Sequence, residues 1–231
     1  MVYLIHNIYM LVSIIIPYYK KQNYIKKTIY SILNQSYQKF EIIIVNDEPG
    51  KLSKNILSAI KKKDKRIKII NNTKNIGAGR SRNKAINVAK GKFIAFIDSD
   101  DLWKKNKLKT QINIMRKFNY NVSHTAYYIT DNKGKKLALR KSKNLNFKTL
   151  KDSCDVGLST VIINKIILKK DIMFSNYITK EDYYLWLKIT KHGKIFHYID
   201  QPLSYWRKTH NSLSSSVIQK FIDSFKVYNH F

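Results

Sequence analysis

Four short apolar segments alternate with segments whose apolar residues recur at helical spacing, and this alternation restricts the fold more than any other feature of the chain. The apolar segments are LVSIII at 11–16, FEIIIV at 40–45, IKII at 67–70 and KFIAFI at 92–97. Runs rich in β-branched residues and without polar alternation are typical of strands buried on both faces. We therefore predict an α/β/α sandwich, in which helices cover a mostly parallel central sheet.

The pattern becomes less regular from about residue 120. Shorter strands, some of them antiparallel, are predicted at 122–129, 159–163, 194–199 and 203–206, with a helix that begins near Glu181. One unit is therefore expected over residues 10–214. Its first half, 10–119, has the style of a nucleotide-binding fold, its smaller second half, 120–214, lies on the substrate side, and 215–231 forms a helical tail.

Three carboxylates follow the fourth predicted strand, in the segment FIAFIDSDD: Asp98, Asp100 and Asp101. Alternate residues of an extended strand share a face, so Asp98 and Asp100 are expected to point together. Carboxylates that repel one another suit Mg²⁺ or Mn²⁺, which complete their shells with phosphate oxygens and water. The alternative is that Asp100 or Asp101 caps the next helix, but one aspartate suffices for a cap. Three aspartates directly after a strand therefore favour a metal site over a helix cap.

Polar residues also follow the first and second strands, in the segments PYY and NDE. Open parallel sheets bind ligands beyond the carboxyl ends of their strands, so these segments are expected to lie side by side with DSDD. Asp47 in NDE is a candidate acceptor for a nucleobase or ribose. Its alternative role is an Asx-type turn before Pro49.

The segment NIGAGRSRN opens the third predicted helix. It has two of the glycines of a dinucleotide fingerprint, but Arg82 stands in place of the third, which argues against that function. Arg80 and Arg82 are better explained as contacts to an anion or a base at a helix N-terminus. The alternative is that both arginines are ordinary solvent-exposed charges on the helix.

A second acidic site is predicted in KEDYYLW, where Glu181 and Asp182 begin a helix. The helix dipole favours their ionised forms, as a general base requires, although first-turn acids also simply stabilise helices. Trp186, one turn later, either packs in the core or offers a face to a sugar ring. Arg207 and His210, after the last strand, are candidate donors to a pyrophosphate, and histidine also ligates metals.

Charge limits the choice of partners. The chain has 44 basic and 15 acidic residues, a net charge of +29, which predicts an anionic partner unless the lysines only cover solvated helix faces.

Cys154 is the single cysteine, so no disulfide can form within the chain, which fits the reducing cytoplasm. The apolar N-terminus lacks a signal-peptide pattern and is interpreted as a strand, with residues 1–9 a possible upstream extension.

Four segments in order resemble the family 2 glycosyltransferases, which have the GT-A fold: VSIIIPYYK, YIKKTIYSILNQSYQKFEIIIVND, NIGAGRSRNKAINVAKGKFIAFIDSDD and ITKEDYYLWLKI. The resemblance extends over about residues 11–214. It implies inverting transfer of a sugar from a nucleoside-diphosphate sugar, most commonly a UDP-sugar, to a hydroxyl of a glycan or a lipid-linked glycan. Biosynthesis of a polysaccharide, lipopolysaccharide or capsule is the implied setting.

The resemblance also implies roles by position. Asp98 and Asp100 match the DxD motif that holds Mn²⁺ or Mg²⁺ on the diphosphate, and Asp182, beside Glu181, matches the catalytic base. The residues expected at the donor are Pro17, Tyr19, Asp47, Arg80, Arg82, Asp98, Arg207 and His210. Trp186 is expected on the acceptor side.

The tail VIQKFIDSFKVYNHF has Phe221, Ile222, Phe225 and Tyr228 at near-helical spacing. With the basic surface, this predicts peripheral contact with the anionic inner face of the cell membrane, or a helix packed on the domain.

The sequence leaves two other functions open. A basic nucleic-acid-binding module would explain the charge but not carboxylates at strand ends, so no nucleic acid is expected. A non-catalytic glycosyltransferase-like module would not need both acidic segments.

Overall fold

A nine-stranded sheet forms the centre of the protein, in a computed structural model that describes residues 10–209 and 217–231. The strands are β1 Val12–Tyr18, β2 Phe40–Asn46, β3 Ile67–Asn71, β4 Phe93–Phe96, β5 Leu102–Trp103, β6 Val122–Thr130, β7 Lys136–Arg140, β8 Ile162–Asn164 and β9 His197–Arg207. The helices are α1 Ile25–Leu33, α2 Lys51–Lys61, α3 Ala78–Val88, α4 Lys107–Lys117, α5 Phe147–Asp152, α6 Glu181–Lys191 and α7 Val217–His230.

The strand order is β3-β2-β1-β4-β8-β6-β9-β5, with β7 paired to β6. The first four strands are parallel, and β1 lies between β2 and β4. The later strands add antiparallel pairs and one parallel pair, β6 with β9. The predicted α/β architecture is therefore confirmed, and the second half of the chain extends the same sheet.

Side-chain alternation along the strands builds a core on each face of the sheet. Ile15 and Ile43 pack in the core that contains α3 and α6 residues, whereas Ile14 and Ile44 pack in the core beneath α1, α2 and α4. Because both faces are covered, the central strands need apolar residues at successive positions, which explains their unbroken apolar sequence. None of the described helices is long and apolar enough to cross a membrane.

Two strand predictions differ from the structure. Residues 197–199 and 203–206 belong to one strand, β9, whose register with β6 shifts between Ile199 and Pro202 and again between Pro202 and Ser204. Segment 159–163 begins with a 3₁₀ turn, Leu158–Thr160, before β8. A local bulge and a single helical turn leave no mark in the apolar pattern, so the sequence did not separate them from ordinary strands.

The parallel order places the loops after β1, β2 and β4 at one edge of the sheet. Asp47 N donates to the Tyr18 carbonyl at 2.8 Å, and Ile97 N donates to the Ile15 carbonyl at 3.2 Å, so the residues directly after β2 and β4 are both bonded to β1. This is the arrangement predicted from the three polar segments.

Candidate active site

The acidic segment after β4 forms a tight turn. Asp101 N donates to the Asp98 carbonyl at 3.1 Å, and β4 ends at Phe96. The expectation that Asp98 and Asp100 share a strand face is therefore wrong. Asp98 and Asp100 nevertheless lie in one tight turn, which the hydrogen bond from Asp101 N to the Asp98 carbonyl closes. Burial raises the pKa of Asp98, Arg82 opposes the rise, and the charges of Asp100 and Asp182 add to it.

Asp101 anchors this turn to the second half of the chain. Its side chain accepts hydrogen bonds from Ser159 Oγ at 2.5 Å and from Arg207 N at 2.9 Å. Burial, then the charges of Asp100 and Asp98, raise its pKa well above the usual value. The capping alternative is wrong for both Asp100 and Asp101, because α4 begins only at Lys107. The third carboxylate of the motif thus holds the turn in place.

Arg82 joins the two acidic segments that the sequence separates by some eighty residues. Its Nη2 donates to Asp98 Oδ1 at 2.7 Å, and its Nη1 donates to Glu181 Oε1 at 2.7 Å. The side chain is 3% exposed, and the two carboxylates raise its pKa against the effect of burial. An open anion contact, as predicted for Arg82, is therefore incorrect, because its guanidinium is buried between two carboxylates.

The N-termini of α3 and α6 touch, which allows this bridge. Gly79 in α3 has no side chain, and a Cβ there would overlap the Ser175 carbonyl oxygen and lie 3.2 Å from Cβ of Glu181. Lys180, immediately before α6, has a left-handed φ of 62°, a strained backbone of the kind found at functional sites. The close approach explains the glycine in NIGAGRSRN, which the sequence suggested only as a fragment of a phosphate-binding motif.

The two acids that begin α6 have different surroundings. Glu181 is buried against Arg82, and burial raises its pKa to about 7 although Arg82 lowers it. Asp182 is partly exposed and accepts a hydrogen bond from Tyr183 N at 2.7 Å. Asp182 is thus accessible to a ligand, whereas Glu181 is committed to the bridge.

Lys21 is a site residue that the sequence reading did not identify. Its Nζ lies 2.7 Å from Asp100 Oδ2 and donates to Thr209 Oγ1 at 2.9 Å. Thr209 Oγ1 also donates to Asp100 Oδ2 at 3.2 Å. Lys21 follows the PYY segment at the ligand edge of the sheet, and that position was the signal available for finding it. The structure thereby places one cation at each of the two DxD carboxylates.

The carboxylate oxygens of Asp98 and Asp100 are suitable ligands for a divalent cation. Within the described ranges, one oxygen of each carboxylate, Asp98 Oδ2 and Asp100 Oδ1, has no hydrogen-bond partner. No group of three or more His, Cys, Asp or Glu side chains that could enclose a metal occurs in 10–209 or 217–231. Two free carboxylate oxygens fit a cation whose other ligands are phosphate oxygens and water.

The carboxylate of Asp47 is hydrogen-bonded to the loop that leads into α3. Its Oδ1 accepts from Asn72 Nδ2 at 2.8 Å and from Ile76 N at 2.9 Å, and its Oδ2 accepts from Gly77 N at 2.9 Å. The residue is 2% exposed. In this structure both carboxylate oxygens order the loop that leads into α3, and the contact with a nucleobase or ribose stays a prediction.

Trp186 lies in the core. It is fully buried and packs against the rings of Phe96, Phe174 and Phe196. The predicted acceptor contact is wrong, because a helix that starts at the ligand edge directs its next turn into the apolar interior. Trp206, in contrast, is partly exposed on β9.

The other predicted donor residues differ in their exposure. Tyr19 and Arg80 are exposed, and Pro17 is partly exposed at the end of β1. Arg207 is buried, and its guanidinium lies 5.0 Å from the centroid of the Tyr24 ring, so the structure provides no open pyrophosphate contact from it. His210 lies outside the described residues.

Comparisons with known proteins agree with this architecture. The model of the family described as glycosyl transferase family 2 matches residues 13–174. The putative teichuronic acid biosynthesis glycosyltransferase TuaG of Bacillus subtilis is 34% identical over 208 residues, which cover 89% of this chain and 82% of TuaG. The Escherichia coli UDP-Glc:alpha-D-GlcNAc-diphosphoundecaprenol beta-1,3-glucosyltransferase WfgD is 37% identical over 189 residues, covering 80% and 72% of the two chains.

Solved structures show the same fold. S. aureus TarS 1-349, in complex with UDP-GlcNAc, superposes with a TM-score of 0.76 at 23% identity, over 94% of this chain and 64% of the TarS chain. The Pyrobaculum calidifontis mannosyltransferase PcManGT, in complex with GDP-Man and Mn²⁺, superposes with a TM-score of 0.71 at 14% identity, over 95% and 64% of the two chains. This chain thus spans just under two thirds of each of these structures.

Fold and relatives together define an enzyme that transfers sugars, a glycosyltransferase with the GT-A architecture. Within that class the chain belongs to glycosyltransferase family 2, whose model covers most of its length.

Proposed function

We propose that the protein transfers a sugar, with inversion, from a UDP-sugar to a hydroxyl of a lipid-linked glycan, in a metal-dependent reaction with Asp182 as general base. The observation that carries this proposal is the Arg82 bridge between Asp98 and Glu181, because it joins the turn that contains Asp98 and Asp100 to the first turn of α6, which contains Asp182. The relative WfgD, named for UDP-Glc and a diphosphoundecaprenol-linked sugar, supports the choice of donor and acceptor class.

Each side chain then has a distinct task. Asp182, the accessible acid, accepts the proton of the attacking hydroxyl, whose oxygen bonds to the anomeric carbon as the bond from that carbon to the β-phosphate oxygen breaks. This single displacement releases UDP and inverts the anomeric carbon without a covalent enzyme intermediate. Asp98 and Asp100 would hold the cation through their free oxygens, and that cation would neutralise charge on the diphosphate when bound. Arg82 and Glu181 are positioning residues, since each is buried and acts through its neighbours. Lys21 orients Asp100.

Donor binding tests this proposal directly. A ligand that binds only the folded state raises the melting temperature, so UDP-GlcNAc or UDP-Glc should stabilise the protein more with Mn²⁺ than with EDTA. Asp100→Asn should remove the Mn²⁺-dependent part of this shift, because it replaces one of the two cation-binding carboxylates. Asp64→Asn, which alters a carboxylate paired with Arg66 far from this edge, is the matched control and should keep the shift. Stabilisation of the Asp100→Asn protein by Mn²⁺ and donor to the wild-type extent would contradict the metal role.

The acceptor's lipid is expected to bring the enzyme to an anionic membrane surface, at the inner face of the cell membrane. Helix α7 packs on the domain through Asp223 and Val227, and Asp223 Oδ2 accepts from Thr179 N at 2.9 Å, just before the α6 acids. Its opposite face is apolar and exposed: Ile218 is 76% and Phe221 77% exposed. The packed-helix and membrane-contact alternatives for the tail are therefore compatible, and the free apolar face supports the second.

Vesicle flotation measures this contact. Wild-type protein should float with vesicles that contain phosphatidylglycerol, and Phe221→Ser with Phe225→Ser should reduce the bound fraction by about tenfold or more, since each buried aromatic side chain contributes about 1.5–3 kcal/mol. The control is Tyr30→Ser with Leu52→Ser, which removes two exposed apolar side chains from α1 and α2. Equal loss in both double variants, or no binding by the wild type, would remove the support for a membrane-facing α7.

A further inference from the structure

A cavity of about 220 Å³ lies between the second half of the sheet and the segment after α5, and none of the roles assigned above uses it. Its floor consists of Tyr127 and Ile129 from β6 and Trp206 from β9. Ile129 pairs with Trp206 across the strands, and Tyr127 pairs with Arg140 of β7. Because cross-strand partners point to the same face of a sheet, two aromatic rings, an isoleucine and an arginine face this cavity together.

The cavity adjoins the proposed base. Cys154 lines it, and the carbonyl of Lys151, three residues earlier, accepts a hydrogen bond at 3.1 Å from the hydroxyl of Tyr183, next to Asp182. Gly157, three residues after Cys154, lies against the Tyr127 ring, where an added Cβ would be 3.1 Å from Tyr127 Cε1. The segment 153–157 therefore lies along the cavity and begins two residues after Lys151, which is bonded to the first turn of α6. A ligand in the cavity would extend toward Asp182.

Two cations stand at the edge of the cavity, Arg140 and Lys141. Within the described ranges Arg140 makes no ion pair, and Lys141 pairs only with Asp200 at 3.2 Å, where both side chains are more than half exposed. Exposed pairs of this kind contribute little to stability, so Lys141 is available to another anion. The remaining lining residue, Asp155, has a carboxylate that can accept hydrogen bonds from hydroxyl groups.

The combination of aromatic rings, a carboxylate and paired cations matches a sugar attached to phosphate. Aromatic faces pack against apolar ring surfaces, carboxylates accept from sugar hydroxyls, and arginine binds phosphate oxygens in a bidentate manner. The volume is below the roughly 300–1,000 Å³ of pockets for drug-sized ligands, which suits a single sugar ring with its phosphates at the mouth.

We propose that this cavity binds the sugar-phosphate end of the acceptor, with Trp206 and Tyr127 against the sugar ring and Arg140 and Lys141 on its diphosphate. The inference rests on the proposed function and specifies its acceptor. It makes the diphosphate, in addition to the sugar, a determinant of which acceptor is used. None of these residues is among those assigned to the donor or the cation, so donor binding should not require them.

Equilibrium binding of two synthetic probes tests the inference. Decyl-diphospho-GlcNAc carries the diphosphate, whereas decyl-GlcNAc glycoside lacks it, and both quench or shift the fluorescence of the partly exposed Trp206 if they enter the cavity. Wild-type protein should bind the diphosphate probe at least about tenfold more tightly, as expected for two charge-assisted contacts. Arg140→Gln with Lys141→Gln should abolish this preference. Lys133→Gln with Lys135→Gln, in the exposed β6–β7 turn, is the matched control and should retain it.

The inference is overturned if the wild type binds both probes equally, or if the preference survives in the Arg140/Lys141 variant. The single variant Lys141→Gln, at an exposed position, serves if the double variant does not fold, and it should lose part of the preference. Mn²⁺-dependent stabilisation by UDP-sugar is measured on the same proteins. If it persists in the Arg140/Lys141 variant while the probe preference is lost, the cavity is separate from the donor site, as proposed. If the wild type shows no donor stabilisation, the proposed function fails independently of the cavity result.

Discussion

Asp182→Asn should reduce sugar transfer by about 10²–10⁴-fold, the usual contribution of a general base, while leaving donor binding intact. Asparagine has nearly the same shape, and its carbonyl oxygen can still accept the hydrogen bond from Tyr183 N that the structure shows at 2.7 Å. Its amide cannot take a proton from the acceptor hydroxyl. Transfer is measured with labelled UDP-sugar and a diphosphate-linked acceptor, and donor binding is measured by thermal shift.

Two further variants make this result specific. Asp171→Asn changes an exposed acid on the segment before α6 and should transfer sugar at the wild-type rate. Glu181→Gln tests the neighbouring acid, whose carboxylate is committed to Arg82. Retention of more than about a tenth of the wild-type rate by Asp182→Asn would show that another group is the base.

Arg82→Met should destabilise the protein by about 3–5 kcal/mol near pH 8, the cost of removing one partner from a buried ion pair. The variant leaves the carboxylates of Asp98 and Glu181 without their shared cation, in a place where Glu181 is 8% exposed. Urea unfolding measures the loss. Transfer activity should fall as well, because Arg82 holds the two acidic segments at a fixed separation.

The destabilisation should also depend on pH in a definite direction. Burial already raises the folded-state pKa of Glu181 to about 7, and the loss of Arg82 removes the influence that lowers it. A carboxyl whose folded pKa exceeds its unfolded value of about 4.3 contributes stability at low pH and loses it as pH rises through the folded pKa. The deficit of Arg82→Met relative to wild type should therefore be smaller near pH 5 than near pH 8.

Arg80→Met is the control for this experiment. Arg80 lies two residues earlier on the same helix but is exposed, so its replacement should change the free energy of unfolding by less than about 0.5 kcal/mol at either pH. A loss of stability in Arg82→Met that is the same at both pH values would contradict the bridge as the source of the effect.

The sequence was most informative where burial and chemistry act locally. The four apolar runs became β1 to β4, because a strand covered on both faces needs apolar residues at successive positions. Polar residues after β1, β2 and β4 indicated the ligand edge, because the carboxyl ends of parallel strands lie at the same edge of the sheet. The role of a single residue was less predictable: Trp186 has the residue type of a ligand contact but is buried in the core.

The chain by itself determined the α/β class, the ligand edge and the two acidic segments, because strand burial and turn chemistry depend on neighbouring residues. Tertiary structure alone decided which charges meet. Arg82 is 16 positions from Asp98 and 99 from Glu181, and Lys21 is 188 positions from Thr209, so only packing of α3 against α6 and of β9 beside the β4 turn brings these side chains together. Pairing over such separations depends on the fold's geometry, for which no local pattern of residues carries a signal.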